Sequence, residues 1–220
     1  MPASIADYRA LSRRRVPRFL FDYTDGGSYA ESTLAANEAD LAAITLDQRV
    51  MVDVSHVDTA TRLLGQNLAM PVILAPVGLG GLHARRGEVQ AMRAAMQAGV
   101  AMALSTVSVC SLAEVAAAAG AAPWFQLYLV RDRGANTAMI EAARMHNCPA
   151  LVLTVDLPTP GARHRDVRSS LTGAPGFSGW LHRAAQVAAR PRWAVDVGLL
   201  GGPIAMGNLT SLVGARAPLS

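Results

Sequence analysis

The sequence has 220 residues, 51% hydrophobic and 16% charged, with a formal net charge of +4. All of its basic residues are arginine, and they are scattered apart from the run Arg13–Arg15. Without a recognition motif this charge does not indicate a nucleic-acid-binding protein. Two cysteines do not make a disulfide framework, which favours a reducing, cytoplasmic setting. No signal peptide is recognisable at the N-terminus, and no apolar run of about 18 residues predicts a membrane-spanning helix.

Residues 1–65 are predicted to form an N-terminal extension that precedes the first strand of the main sheet. Ser4 is a suitable cap for a first helix, and Pro17 suits the first turn of a second helix. A third helix is predicted over about residues 31–43, followed by an extended stretch over 47–56. Gly65 indicates a turn.

Four short apolar runs recur along the middle of the chain, and Ala-rich segments with helical spacing separate them. The runs are 71–75, 101–105, 123–127 and 150–154, and the predicted helices lie near 87–98, 111–119 and 133–146. Strands that alternate with helices predict a parallel sheet, because a parallel crossover needs a helix-sized connection. The fold class is therefore α/β, of the TIM-type (β/α)8 barrel family. A closed barrel takes about 250 residues, so residues 66–156 have room for about four units.

Beyond Thr154 the alternation of strands and helices stops. Residues 157–220 are predicted to form an irregular loop and tail, with one short helix at about 178–189. The whole chain, 1–220, is interpreted as a single domain that is incomplete.

Polar groups follow the predicted strands, where the carboxyl ends of a parallel sheet carry the chemistry of such folds. In chain order they are the backbone at Ala75, Pro76 and Val77, then Ser105, Gln126, Tyr128 and Thr154, with Arg163 just beyond. Neutral hydrogen-bonding groups suit a polar heterocycle better than a metal, so no metal site is predicted. Arg163 has a planar fork that matches a carboxylate, and a tyrosine can donate to a substrate oxygen.

Each of these residues also has an ordinary structural explanation. Gln126 is consistent with a satisfied strand edge, Tyr128 with packing, and Arg163 with a surface ion pair to Asp166. The glycines at 78–81 could let the backbone approach a flat ligand or could form a plain loop. They lack the G-x-G-x-x-G spacing of a dinucleotide site, and the histidines form no catalytic triad.

Five ordered segments resemble the FMN-dependent L-2-hydroxy-acid dehydrogenases and oxidases. The segments are 21–27, 74–78, 104–106, 124–128 and 153–158, and the similarity runs from about residue 4 to about 210. Residues 105–110 and 158–163 are most similar to the bacterial quinone-linked L-lactate branch of that family.

This resemblance implies a reaction and a set of roles. FMN would oxidise L-lactate or another L-2-hydroxy acid to the 2-oxo acid, with electrons passed to quinone, or to oxygen in the oxidases. Tyr23 and Arg163 would hold the substrate carboxylate, and Tyr128, as the catalytic residue, would hydrogen-bond the substrate hydroxyl. The flavin ring would lie against Ala75, Pro76, Val77, Ser105, Gln126 and Thr154.

Some of the groups that the resemblance implies are missing from this sequence. It contains no lysine and no His-Gly-Gly motif, so the family's lysine and its histidine base are missing, as are the late phosphate loops. We therefore expect an N-terminal half that binds FMN weakly and is inactive alone. The alternatives are a non-catalytic half-barrel product and an oxygen-using oxidase.

The expected partners follow from the same resemblance and from one late segment. They are a small 2-hydroxy acid and a quinone or other electron acceptor, with a homo-oligomer for the full-length form. The segment Trp180–Trp193 carries arginines beside apolar residues, which is typical of interfacial helices. This predicts a peripheral contact with the inner face of the cell membrane, although a lid over the site would explain the segment equally well.

Overall fold

Helices and short strands make up most of the structure. The computed structural model describes residues 1–156, 159, 161–172 and 176–213. Its elements, in chain order, are α1 (Ile5–Arg15), α2 (Arg18–Asp25), α3 (Ser32–Ala42), β1 (Thr61–Leu63), β2 (Gln66–Leu68), β3 (Ile73–Leu74), α4 (Gly87–Ala98), β4 (Ala101–Ser105), α5 (Leu112–Ala119), β5 (Trp124–Leu127), α6 (Arg133–Met145), β6 (Leu151–Leu153), α7 (His164–Arg168), α8 (Phe177–Ala188), α9 (Pro191–Trp193) and α10 (Gly207–Val213). A 3₁₀ turn lies at Gly80–Leu82 and a π-helical turn at Ala194–Leu199.

The chain divides into two compact units. The helical unit comprises Met1–Asp58 and Thr159–Ala194, and the sheet unit comprises Thr59–Pro158 and Val195–Ser220. This division differs from the predicted stretches 1–65, 66–156 and 157–220, because the segment after residue 158 packs with the N-terminal helices. Some of these contacts join residues more than 130 positions apart, such as Arg165 and Asp25. Local periodicity in the sequence does not report contacts of this kind. That 1–220 is a single incomplete domain stays a prediction.

The helical unit begins with the predicted helices. Ser4 caps α1: its hydroxyl accepts from the Asp7 amide, and the Asp7 carboxylate accepts from the Ser4 amide at 3.0 Å. Helix α2 starts directly after Pro17 and buries Leu20 and Phe21. These buried side chains fix α2 against its neighbours in this unit, α1, α7 and α8.

Two short strands in the sheet unit were not predicted. β1 and β2 form an antiparallel hairpin around Leu64–Gly65, with Gly65 at φ +83°. The predicted turn at Gly65 is thus present, but three-residue strands are too short to show alternation in the sequence. Residues 47–56 are exposed and form no strand, although the sequence suggested extended backbone there.

The main sheet has four parallel strands in the order β3-β4-β5-β6. Its strands lie within the four predicted apolar runs, and α4, α5 and α6 fill the predicted connections. The helices cover the sheet through a core that includes Met92, Leu104, Val115, Phe125 and Met139. The sequence-based prediction of a parallel α/β sheet is confirmed, and the sheet is compatible with part of a barrel.

The predicted irregular tail contains more structure than the pattern indicated. The helix predicted at 178–189 is present as α8, but α7 and α10 are additional. In α10, Asn208 is buried: its Oδ1 accepts from the Leu112 amide at 2.7 Å, and its Nδ2 donates to the Ser105 carbonyl at 3.1 Å. This helix is held by long-range bonds, which periodicity does not report. The end of the predicted tail, 214–220, lies outside the described residues.

Candidate functional site

A buried hydrogen-bond network connects the ends of β4, β5 and β6 in the sheet unit. The Gln126 Oε1 accepts from the Ser105 hydroxyl at 3.1 Å and from the Thr106 amide at 3.3 Å, and its Nε2 donates to Thr154 Oγ1 at 2.8 Å. Ser105 lies opposite Gln126 in the β4–β5 register. Three residues predicted to share one edge are therefore in direct contact. Because Oε1 faces donors and Nε2 faces an acceptor, the orientation of the amide is fixed.

Two hydrogen-bond donors of this network are not used within it. The second hydrogen on Gln126 Nε2 and the hydroxyl hydrogen of Thr154 have no acceptor among the residues that the structure describes. Both are neutral groups. Tyr128, which is half-buried, directly follows β5, and its amide donates to Thr106 Oγ1 at 3.0 Å. Such donors suit the carbonyl oxygens of a neutral polar ring, which is the class of ligand that the sequence suggested.

The loop after β3 lies exposed at the same edge of the sheet. Ala75, Pro76 and Val77 are exposed, and β3 pairs with β4 in parallel register. Further along this loop, the Leu79 amide donates to the Val107 carbonyl at 3.0 Å. The loops after β3 and β4 are thereby joined, so the backbone at 75–77 and the Ser105 end of β4 are held within one framework.

Glu88 is a site-organising residue that the sequence analysis missed. It is 3% exposed, and its Oε1 accepts from the Gly81 amide at 2.8 Å and from the Val109 amide at 2.9 Å. One carboxylate oxygen thus bridges the loops after β3 and β4, while Oε2 has no hydrogen-bond partner among the described residues. Glu88 lies in the first turn of the predicted helix 87–98, where acidic residues are common, so the sequence did not set it apart.

The glycine run packs against protein rather than leaving room for a ligand at Gly81. A Cβ on Gly81 would lie 2.7 Å from the Val109 Cβ and 2.9 Å from Glu88 Oε2. The absence of a side chain is needed to bring the two loops together over Glu88. Of the two explanations that the sequence left open at 78–81, the loop-packing one accounts for this glycine.

The two cysteines have properties of packing residues. Burial, with the neighbouring Glu88 carboxylate, raises the pKa of Cys110 to about 12, and burial raises the pKa of Cys148 to about 11. Thiols with such pKa values stay protonated and unreactive near neutral pH. Among the residues described, no group of three or more His, Cys, Asp or Glu side chains could hold a metal ion.

In the helical unit, Tyr23 and Arg163 are in contact. The Arg163 guanidinium carbon lies 5.3 Å from the centroid of the Tyr23 ring. Arg163 Nε donates to Asp166 Oδ2 at 2.7 Å, and Nη2 donates to the carbonyls of Tyr23 and Gly26. The ion pair with Asp166 that the sequence left open as an alternative is therefore present. The two hydrogens on Nη1 have no acceptor among the described residues and are available to an anion.

A second ion-pair network in this unit ties α7 to the N-terminal helices. Arg165 binds Asp25 at 2.8 Å and also binds Glu31, while Arg9 makes a second pair with Asp25. Arg9 and then Arg165 lower the pKa of Asp25. For Glu31 the Gly27 amide is the main cause of a lowered pKa, followed by Arg165. These bonds hold the loop that carries Arg163 against α2.

The predicted site residues thus fall into two groups. Ala75, Pro76, Val77, Ser105, Gln126, Tyr128 and Thr154 lie in the sheet unit, and Tyr23 and Arg163 lie in the helical unit. Each group is brought together within its own unit.

Comparison with known proteins identifies a family. The model for "FMN-dependent dehydrogenase" matches residues 12–215. A protein of Pseudomonas syringae pv. syringae named L-lactate dehydrogenase is 51% identical over 217 residues, which are 99% of this chain and 56% of that protein. One of Caulobacter sp. with the same name is 52% identical with the same coverage. The chain spans about half the length of the curated relatives it matches.

Solved structures give the same result for the fold. The monotopic membrane protein (S)-mandelate dehydrogenase aligns with a TM-score of 0.83 at 28% identity, covering 93% of this chain and 54% of that one. A mandelate oxidase aligns with a TM-score of 0.73 at 34% identity, covering 88% and 60%.

Proposed function

Since this chain belongs to the FMN-dependent dehydrogenase family, we propose that it provides the part of a flavoenzyme site that holds the FMN ring and the substrate carboxylate. The reaction is the oxidation of L-lactate, or a related L-2-hydroxy acid, to the 2-oxo acid. The observation that carries the proposal is the Ser105–Gln126–Thr154 network, with two donors left over at a strand-end edge. Relatives named L-lactate dehydrogenase support lactate as the substrate.

The donor set at the strand ends fits a flavin. The edge offers neutral amide and hydroxyl groups from Gln126 and Thr154 and exposed backbone at 75–77, and no ionised side chain takes part in the network. Bound FMN would supply the acceptor for the hydride equivalent that leaves the substrate carbon. The residues of this chain bind and orient: Gln126 is fixed by Ser105, and Thr154 extends the donor edge.

The substrate is proposed to be held through its carboxylate and hydroxyl groups. Arg163 has Nη1 free of acceptors among the described residues, while its other nitrogens anchor it to α2 and Asp166. A guanidinium fixed in this way loses little side-chain entropy when it binds a carboxylate oxygen. Tyr23 stacks on it, and Tyr128 is the proposed hydrogen-bond partner of the substrate hydroxyl.

The architecture proposed for the sheet unit is the first four βα units of a (β/α)8 barrel. Sequential parallel strands with covering helices support it, as does the alignment with structures of longer relatives. In such barrels the carboxyl ends of the strands carry the site, and the network around Gln126 lies at such ends.

Turnover by these 220 residues alone is not expected. They contain no lysine and no His-Gly-Gly sequence, and loss of a general base alone costs about 10²–10⁴-fold in rate. The experiment has two parts: FMN titration followed by flavin fluorescence, and lactate-dependent dye reduction. We expect weak, saturable FMN binding that Thr154→Val reduces about tenfold, whereas the exposed control Thr137→Val leaves it unchanged. Steady dye reduction would contradict the inactivity of the chain.

The electron acceptor is proposed to be a quinone, with oxygen as the alternative. The L-lactate dehydrogenase relatives favour the first, and the 34% identical mandelate oxidase keeps the second open. The yield of peroxide from a full-length homo-oligomeric form would distinguish the two acceptors, because only an oxidase passes the electrons of each turnover to oxygen.

A peripheral membrane contact is a second candidate function, favoured by α8. Phe177, Trp180 and Leu181 are 78%, 59% and 53% exposed, and the first two rings stack with centroids 6.1 Å apart. No helix among the described residues is long and apolar enough to cross a bilayer. Exposed aromatic side chains on an amphipathic helix suit the interface of a membrane. The monotopic mandelate dehydrogenase supports this proposal.

Vesicle co-sedimentation tests the membrane contact. The double variant Phe177→Ser with Trp180→Ser should lose most of its binding to phosphatidylcholine vesicles. The matched control, Leu46→Ser with Val50→Ser, removes exposed apolar side chains elsewhere in the helical unit and should bind normally. Equal binding by both variants would show that α8 does not make the membrane contact.

A further inference from the structure

The helical unit contains a cavity with a strong excess of positive charge. Its volume is about 1020 Å³, and seven arginines but only two aspartates line it. The arginines come from α1, α2, α7 and the residue before α9, so sequence neighbours alone do not explain the cluster. Ligand cavities in proteins span about 300–1,000 Å³, and this one is slightly larger.

The two acidic side chains of the cavity are already neutralised. Asp22 pairs with Arg18 at 3.2 Å, and Asp25 pairs with both Arg9 and Arg165. They therefore leave no negative charge for the remaining arginines of the cavity.

Four arginines of the cavity have no acidic partner among the residues that the structure describes. They are Arg13, Arg14, Arg168 and Arg190. Arg190 is held in place by carbonyls, since its Nε donates to Val16 at 3.3 Å and its Nη1 to Ala189 at 3.0 Å. Helix dipoles favour basic residues in the last turn. This accounts for Arg13 and Arg14 in α1 and for Arg168 in α7, but not for Arg190, which lies beyond the end of α8. Positive charges that line one cavity raise the local concentration of anions.

We propose that this cationic cavity, defined by Arg13, Arg14, Arg168 and Arg190, binds a phosphate-bearing anion. The planar fork of arginine donates two parallel hydrogen bonds to phosphate oxygens, and guanidinium is more weakly hydrated than ammonium. Binding involves no covalent step. The same chemistry serves a soluble pyrophosphate group and the headgroup phosphate of an anionic lipid. This site belongs to the helical unit, whereas the flavin-ring network belongs to the sheet unit, so either can fail without the other.

Two probes distinguish these sources: inorganic pyrophosphate, followed by calorimetry, and vesicles of phosphatidylglycerol with phosphatidylcholine, followed by co-sedimentation. The variant is Arg14→Gln with Arg168→Gln, because both side chains are exposed and make no hydrogen bond or ion pair with the other residues that the structure describes. The matched control is Arg131→Gln with Arg133→Gln, which removes the same charge from exposed positions of the sheet unit. Circular dichroism and melting temperature verify that both variants fold.

Pyrophosphate binding that falls at least about tenfold in the variant and stays within about twofold in the control supports the site with a soluble ligand. A lipid phosphate is supported if this variant loses its binding to anionic vesicles while the control keeps it. Pyrophosphate should then compete with the vesicles for the parent chain. The proposal is overturned if neither probe binds the parent chain, or if variant and control weaken equally, since that pattern reports net charge only.

Discussion

Glu88 is the residue on which the loops beside the proposed flavin edge depend. Its carboxylate accepts from the amides of Gly81 and Val109 inside the protein. Glu88→Ala should therefore leave two buried donors unsatisfied and lower the free energy of unfolding by about 2–4 kcal/mol. Glu88→Gln retains an acceptor oxygen and should cost less. Denaturant unfolding measures the loss, with the exposed Glu141→Ala as control.

Hydrogen exchange gives this prediction a local readout. Exchange at the amides of Gly81 and Val109 should accelerate together in Glu88→Ala, while amides of β4 and β5 keep their protection. Unchanged exchange at both loop amides would show that Glu88 does not bridge the loops.

Asp25 predicts a pH dependence for the helical unit. Arg9 and Arg165 lower its native pKa below the ordinary value of 3.8. The stabilisation is therefore complete above that ordinary value and is lost as the pH falls through the lower native pKa. Asp25→Asn should reduce stability at pH 7 by about 1–2 kcal/mol, and the difference from the parent chain should vanish at low pH. Melting temperatures between pH 2 and 7 measure it, with the exposed Asp47→Asn as control. A constant difference across this range would contradict the ion-pair account.

The sequence allowed the residues at the strand ends to be predicted. It did not allow prediction of the residues that hold the neighbouring loops in place. A parallel sheet brings the ends of successive strands to one edge, so the contact between Ser105, Gln126 and Thr154 follows from the strand assignment. Glu88 was missed because its partners are backbone amides, and amides carry no sequence signature. Whether the predicted residues bind flavin and substrate stays a prediction.

At the scale of elements, local signals placed most of the helices. Ser111 precedes α5, and its hydroxyl accepts from the Glu114 amide at 3.2 Å, as expected of a serine just before a helix. Gly120 ends the helix at φ +74°. Caps and glycines act within a few residues, which is why sequence alone reports them.

Removal of this cap should have a defined cost. Ser111→Ala is expected to lower the free energy of unfolding by about 1 kcal/mol, because the amide of Glu114 loses its acceptor. Ser32→Ala, at the exposed first position of α3, is the control and should change little. Chemical denaturation measures both. If Ser111→Ala and Ser32→Ala change stability equally, the hydrogen bond of the Ser111 hydroxyl does not stabilise the helix.

Elements held by distant contacts escaped prediction. α7 is tied to α2 by Arg165 and Asp25, which are 140 residues apart, and α10 by Asn208 and Leu112, which are 96 apart. Helices of five and seven residues are unstable without such contacts. Their formation therefore depends on tertiary bonds that no local pattern encodes.

At the scale of the whole molecule, exposed apolar side chains predict self-association. In the sheet unit Leu151, Leu153 and Val155 are 46%, 49% and 81% exposed on or next to the outer strand β6. Open strands with apolar side chains favour pairing with other chains. Light scattering should detect association of this chain on the order of 10–100 μM.

Leu153→Thr with Val155→Thr should reduce that association, whereas Leu46→Thr with Val50→Thr should not. A monodisperse monomer across the whole concentration range would contradict the prediction.

The strand ends of the sheet unit are proposed to hold the flavin ring. An NMR titration of the isotope-labelled chain with riboflavin, which lacks the phosphate, tests it most directly. If the ring binds there, the Gln126 side-chain amide and the Ser105, Thr106 and Thr154 backbone amides should shift, with little change at Arg13 and Arg168. Saturation that leaves the Gln126 amide unmoved, or the absence of any shift up to the solubility limit of riboflavin, would contradict it.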